Sequence, residues 1–264
     1  MATQEAQTHP DTIIEAKKQH LTERQQKTPT AAVVALAEMQ ARPKPVLNIV
    51  TDGTQVTLIG QITLQETYDP VATALHYIRE GVDAVSFFTD QRIYRMGMDD
   101  LLLVTHGVRN FPVICQNYTL SEYQVTETRA AGASALVVYS AALDRANSRR
   151  LVSLAHRWKM TTIFQASNEE DISYANFVSP HVIGIGNGLD LYFNAVRDIP
   201  LIERLAPLVP FHTRMMALGC IRKLDDIATA VELGVAAVIA DETLINSPKN
   251  YAQLRALLVR HPHE

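Results

Sequence analysis

Apolar positions along this chain follow two rhythms. Short runs that are apolar on both faces alternate with longer stretches in which apolar residues recur every three to four positions. The short runs lie at 56–62, 83–88, 112–116, 134–139, 161–165, 181–185, 212–217 and 235–240. The longer ones lie near 70–80, 98–107, 121–131, 143–158, 168–176, 197–208, 223–233 and 249–260. Three junctions share one pattern: Glu80-Gly81-Val82-Asp83-Ala84-Val85, Ala131-Gly132-Ala133-Ser134-Ala135-Leu136 and Leu233-Gly234-Val235-Ala236-Ala237-Val238. In each, a glycine follows a helical stretch, where the left-handed residue that ends a helix belongs. The run that follows is apolar throughout, as in a parallel strand covered on both faces. Repeated strand–helix units predict an α/β protein, a single (β/α)8 TIM barrel with its chemistry at the C-terminal strand ends. An open doubly wound sheet would carry a glycine-rich phosphate loop after its first strand. Here that stretch reads Gln61-Ile62-Thr63-Leu64-Gln65-Glu66.

Ahead of the first strand, residues 1–10 read as a disordered tail and 11–45 as an N-terminal helical extension. Its helices lie at 12–26 and 30–41, the second stopped by Arg42-Pro43-Lys44-Pro45 because proline cannot continue a helix. No low-complexity linker interrupts the alternation, so 1–264 reads as one domain, with the barrel over 56–260. The 264 residues are 47% hydrophobic, enough for a large core. The net charge of −4 and the scattered Lys and Arg argue against nucleic acid and acidic membranes as partners. Cys115 and Cys220 stand in no metal-ligand spacing and read as thiols in a reducing compartment. No apolar run approaches the roughly 18 residues of a membrane span, and the polar first ten residues lack a signal-peptide core. A cytoplasmic protein without metal or cofactor is expected.

The order of several short segments resembles indole-3-glycerol phosphate synthase. They are Phe87-Phe88-Thr89-Asp90, Gly97-Met98-Asp99-Asp100-Leu101, Glu122-Tyr123-Gln124-Val125, Glu127-Thr128-Arg129-Ala130-Ala131-Gly132-Ala133, Ala141-Ala142-Leu143, Glu203-Arg204-Leu205-Ala206-Pro207-Leu208-Val209-Pro210 and Glu242-Thr243-Leu244. The likeness runs over about 12–260 and includes the helical extension. It implies a TIM barrel and a decarboxylating ring closure in tryptophan biosynthesis. That reaction uses a cationic general acid, carboxylates that position it and remove protons, and a glycine-lined phosphate pocket.

The positions that would carry this chemistry are substituted. Where the family reads Glu-Ile-Lys on strand one, this chain has Gln61-Ile62-Thr63, followed by a shorter loop that lacks the family's phosphate-contacting serine. The family's Arg-Lys-Asp-Phe on strand three becomes Cys115-Gln116-Asn117-Tyr118, so the general-acid lysine is Gln116, an amide with no proton to give near neutral pH. The strand-five glutamate and following histidine become Gln165 and Ser167, and of Asn-Asn-Arg after strand six only Asn187 can correspond. Glu-Ser-Gly-Ile after strand seven becomes Leu218-Gly219-Cys220-Ile221, and the strand-eight phosphate glycine becomes Asp241, followed by a family-like Glu242. Carboxylates at that helix start would cap its free N–H groups and repel a phosphate dianion.

Gln61, Gln116, Asn117, Gln165 and Asn187 are therefore expected together at the strand ends. They form either a neutral pocket for a small polar molecule or a set of amides that bond to one another. Cys220 and Asp241 are further ligand-binding candidates. Asp90 is expected to cap its loop. His76, His106, His156 and His212 read as solvated or core residues and Trp158 as a packing residue. Removing acids and bases together keeps the interior neutral, since an unpaired buried charge is costly. Three functions remain open: a barrel that has lost the ring closure and works by binding or assembly, with a small polar molecule or a partner protein; an enzyme with new chemistry on a neutral ligand; or a synthase with an unusual residue set.

Overall fold

A computed structural model describes residues 10–46, 55–63, 69–90, 95–186, 199–221 and 223–258. Two helices come first, α1 (Pro10–Lys27) and α2 (Thr30–Met39). Strands and helices then alternate: β1 (Thr57–Ile62), α3 (Pro70–Glu80), β2 (Ala84–Phe88), α4 (Met98–Gly107), β3 (Val113–Gln116), α5 (Glu122–Ala130), β4 (Ala135–Tyr139) and α6 (Arg145–Arg157). They continue with β5 (Thr161–Ala166), α7 (Glu169–Val178), β6 (Val182–Ile185), α8 (Ile199–Leu205), β7 (Arg214–Ile221), α9 (Leu224–Glu232), β8 (Ala237–Ala240), α10 (Glu242–Ile245) and α11 (Pro248–Leu257). Every strand pairs in parallel with its sequence neighbours and β8 closes on β1, which makes the expected TIM barrel.

Local chemistry explains the boundaries. Asp69, Ser121, Asp144 and Asn168 cap α3, α5, α6 and α7, each side chain accepting from a backbone N–H three residues on. Gly81, Gly132 and Gly234 have φ of 93°, 83° and 89°, the left-handed conformation that their position after a helix predicts. Two boundaries differ from the sequence pattern. β7 runs on through Ile221, with a register shift between Ala217 and Cys220, so 218–221 belong to the strand. A bulge absorbs the extra residues, and a period-two pattern does not reveal it. Of the stretch expected as one helix over 197–208, the described residues are α-helical over Ile199–Leu205 and tighten to a 3₁₀ turn at Ala206–Leu208, where Pro207 removes a backbone donor.

The barrel has two apolar layers. Ile59, Ile114, Val137, Ile163, Met216 and Ile239 fill the bore, while Leu58, Val85, Val113, Phe164, Ile183 and Val238 pack outward against the helices. This double burial is why the strands read as unbroken apolar runs. The extension lies along α5. Near one end Lys17 reaches the chain after β2, and near the other Gln40 Nε2 donates to Ala130 O (2.7 Å) while Arg129 donates to the carbonyls of Gln40 (2.8 Å) and Ala41 (2.6 Å). Val46, beyond it, joins the bore cluster. Among the described residues no helix is long and apolar enough to cross a membrane.

Candidate functional site: the C-terminal mouth of the barrel

Strand register selects what enters the bore. Gln61 on β1 pairs with Ser86 on β2, and alternate residues of β3 and β4 bring in Gln116, Tyr118 and Tyr139. Gln116 is the hub. Its amide nitrogen donates to Gln61 Oε1 (2.9 Å) and to the Ser86 hydroxyl, and its oxygen accepts from Tyr139 OH (3.3 Å). Gln61 in turn donates to the carbonyls of Ile62 (3.0 Å) and Ser86 (3.2 Å). Gln61 and Gln116 are 2% and 1% exposed. Above them the Tyr118 and Tyr139 rings pack with centroids 5.0 Å apart, both tyrosines fully buried. Burial pushes the Tyr139 phenol far above its ordinary range, so it stays a neutral donor to Gln116.

Gln165, fully buried, belongs to a neighbouring cluster. Its oxygen accepts from Ser140 Oγ (3.2 Å) and its nitrogen donates to Gly186 O (2.6 Å). On the β8 side, Asp241 is the N-cap of α10, its Oδ1 accepting from the Thr243 N–H (3.0 Å) and the Thr243 hydroxyl. Glu242 takes a different role from the expected cap: Oε2 accepts from Thr63 Oγ1 at 2.9 Å, which joins the end of β1 to α10. Asn187 and the Cys220 side chain lie outside the described residues.

Asn117 does not join the amides. The expectation treated it as a neighbour of Gln116, but adjacent strand residues point to opposite faces. Asn117 faces outward, into a void of about 10 Å³, room for one water. Lys17, His20, Arg24, Thr89, Asp90 and Glu127 share that void. Asp90 binds Lys17 Nζ at 2.6 Å, with the two side chains 7% and 8% exposed; the loop it was expected to cap, 91–94, lies outside the described residues. Burial lowers the Lys17 pKa, opposed by Asp90. Arg24 and Glu127 form a second pair at 2.6 Å, and burial raises the Glu127 carboxyl, opposed by Arg24. Cys115, on the same outward face, is a buried thiol pushed up by desolvation, and it contacts the Thr89 and Thr128 hydroxyls. An inert thiol among hydroxyls is a packing group.

Ser86, Tyr139, Ser140 and Lys17 are the residues that sequence reasoning passes over. The first three were within reach of a period-two argument once the register between strands is known. Lys17 was not, because it meets Asp90 across 73 positions of chain. Among the described residues no cluster of three or more His, Cys, Asp or Glu side chains could hold a metal. Around Gln116 the mouth thus offers neutral donors and acceptors that already bond to one another, with the carboxylates of Asp241 and Glu242 on its β8 side.

The fold is shared with solved barrels of other activities. Thiamine phosphate pyrophosphorylase from Pyrococcus furiosus superposes with a TM-score of 0.55 at 13% identity, over 78% of this chain and 96% of that one. Tryptophan synthase subunit alpha from Legionella pneumophila gives 0.54 at 14%, over 77% and 92%. Such likenesses establish the class by fold alone, a (β/α)8 barrel. The sequence is more specific: the family model of indole-3-glycerol phosphate synthase matches residues 10–257, and the chain belongs to that family. Relatives named indole-3-glycerol phosphate synthase include those of a Roseiflexus species (27% identical over 93% of this chain and 96% of the relative), a Nocardioides species (30%, 89% and 92%) and Dehalococcoides mccartyi (30%, 78% and 83%).

Proposed function

We propose that this family member keeps the synthase scaffold without the ring-closing decarboxylation, and acts by binding a small polar molecule or a partner protein. One observation carries the reading. Gln116, which the resemblance sets at the family's general-acid lysine, has its amide held by Gln61, Ser86 and Tyr139 in a network that contains no ionised group among the described residues. Ring closure needs a proton delivered to a carbonyl and another to a leaving hydroxyl. An amide delivers neither, and a buried phenol held neutral as a hydrogen-bond donor is poorly suited to cycle through its anion. Asp241 at the start of α10 occupies the N–H of Thr243 and sets a carboxylate where a phosphate would have to bind.

The names of the relatives favour a second reading, an active synthase with an unusual residue set. Under it, protons would come from Glu242 or from groups outside the described residues. A single assay separates the two: purified full-length protein is incubated with the anilino-deoxyribulose phosphate substrate and indole fluorescence is followed. The expected result is no turnover above the no-enzyme rate. A kcat within tenfold of a common enzymatic value, about 10 s⁻¹, would establish the second reading. A tight ligand of the mouth that is chemically transformed would point instead to new chemistry in the same pocket.

A further inference from the structure

We infer that the floor of the barrel, opposite the mouth, holds a binding site for a small phosphorylated molecule, built between the extension and the ends of α4 and α5. A cavity of about 340 Å³ opens there. That is within the range of small-molecule sites and larger than a lone anion needs. Its walls include Arg42 and Lys44 from the segment after α2, and His106 and Arg109 from the end of α4 and beyond. No Asp or Glu lines it, although the chain as a whole carries a net charge of −4. Three permanent cations thus line one concavity of an acidic protein.

The bland account is that these cations serve the C-terminal ends of α4 and α5, where the helix dipole is negative. The hydrogen bonds argue otherwise. The terminal carbonyls in this region already have neutral or remote donors: Thr105 Oγ1 donates to Ala131 O (2.6 Å) and Leu102 O (3.0 Å), and Gln40 Nε2 to Ala130 O (2.7 Å). The carbonyls of Gln40 and Ala41 on the rim are engaged by Arg129. Lys44 Nζ meets only the neutral Asn110 Oδ1 at 2.8 Å. Among the described residues none of Arg42, Lys44 and Arg109 is paired with a carboxylate. The cavity wall is also anchored: the Lys44 N–H donates to the buried Ser134 hydroxyl at 3.2 Å, which ties the extension to the start of β4. Two guanidinium groups and an ammonium around such a space match a phosphate monoester, with charge-assisted bonds to its oxygens and room for its body. Arg42 and Lys44 come from the extension and Arg109 from the barrel, so a bound phosphate would staple one to the other.

The test uses the full chain and two probes, inorganic phosphate and glycerol 3-phosphate, against sodium chloride at matched ionic strength, read by thermal shift and calorimetric titration. Both probes should raise the melting temperature saturably, glycerol 3-phosphate the more strongly, with affinity falling as salt rises. The double variant Lys44→Gln/Arg109→Gln should weaken binding by about tenfold or more. The charge-matched control Arg79→Gln/Lys249→Gln, on α3 and α11, should bind as the parent does. A shift no greater than that of chloride overturns the inference, as does a shift that survives the double variant. The second outcome would place the anion elsewhere and leave the turnover assay of the mouth unaffected.

Discussion

Gln116 is where the chemistry of the mouth is decided at the residue scale. Its two amide hydrogens and its oxygen are matched to Gln61, Ser86 and Tyr139, so every partner expects a neutral group. Gln116→Lys would place an ammonium among an amide oxygen and hydroxyls, desolvated and without a carboxylate. We expect a loss of roughly 1–3 kcal/mol in urea unfolding and no gain of synthase turnover. A stable variant that makes product would mean the rest of the catalytic set is present. A second prediction concerns His156 and His181, whose rings lie 4.0 Å apart with the Thr162 hydroxyl within reach of both. Burial, with a smaller push from His156, lowers the His181 pKa from 6.5 to about 4. On acidification the unfolded chain takes up this proton first, so stability is full above about pH 6.5 and declines toward pH 4. Melting temperatures should fall across that window. His181→Asn, which keeps an acceptor for the Thr162 N–H, should flatten that part of the curve. An unchanged profile would assign the acid sensitivity to other groups.

At the scale of elements, the extension is held to the barrel by charge inside the protein. Lys17 on α1 and Asp90 after β2 form a buried pair, and breaking such a pair by removing one partner is strongly destabilising. Lys17→Met should cost about 3–5 kcal/mol, whereas Lys17→Met/Asp90→Leu should recover most of it. Equal stability of single and double variants would show that the pair is solvated. Helix ends offer a simpler case. Gly81 ends α3 at φ 93°, and the nearest atom to an added Cβ, Tyr251 Oη, would sit at an ordinary 3.4 Å. Gly81→Ala should therefore cost only the left-handed backbone strain, about 1–2 kcal/mol, read as a lower urea midpoint at unchanged slope. This position was legible in the sequence because a glycine before an apolar run has one common use. The β7 bulge was not, since Leu218-Gly219-Cys220-Ile221 carries no local mark that says whether it extends a strand or begins a loop.

On the scale of the whole molecule, the two ends of the barrel make opposite predictions about anions. The floor gathers Arg42, Lys44 and Arg109, while the mouth presents Asp241 and Glu242. In the Lys44→Gln/Arg109→Gln background, millimolar glycerol 3-phosphate should no longer raise the melting temperature. Adding Asp241→Gly should then restore some anion affinity if charge is the obstacle at α10. Strong binding by the background alone would show that the mouth still accepts phosphate. The sequence by itself determined the strand and helix order, the closed parallel barrel, the helical extension and the family. These follow from period, end signals and segment order, which are local or linear properties of the chain. It also singled out Gln61, Gln116 and Gln165 as amides at the strand ends. Only the tertiary structure decided how those amides are used. It bonded Gln61 to Gln116 but set Gln165 apart with Ser140, turned Asn117 out toward α1, brought Lys17 to Asp90 and set Arg42 and Arg109 on the wall of one cavity. Hydrogen bonds and ion pairs between distant positions depend on register and on which face a side chain takes, and a one-residue change reverses the face.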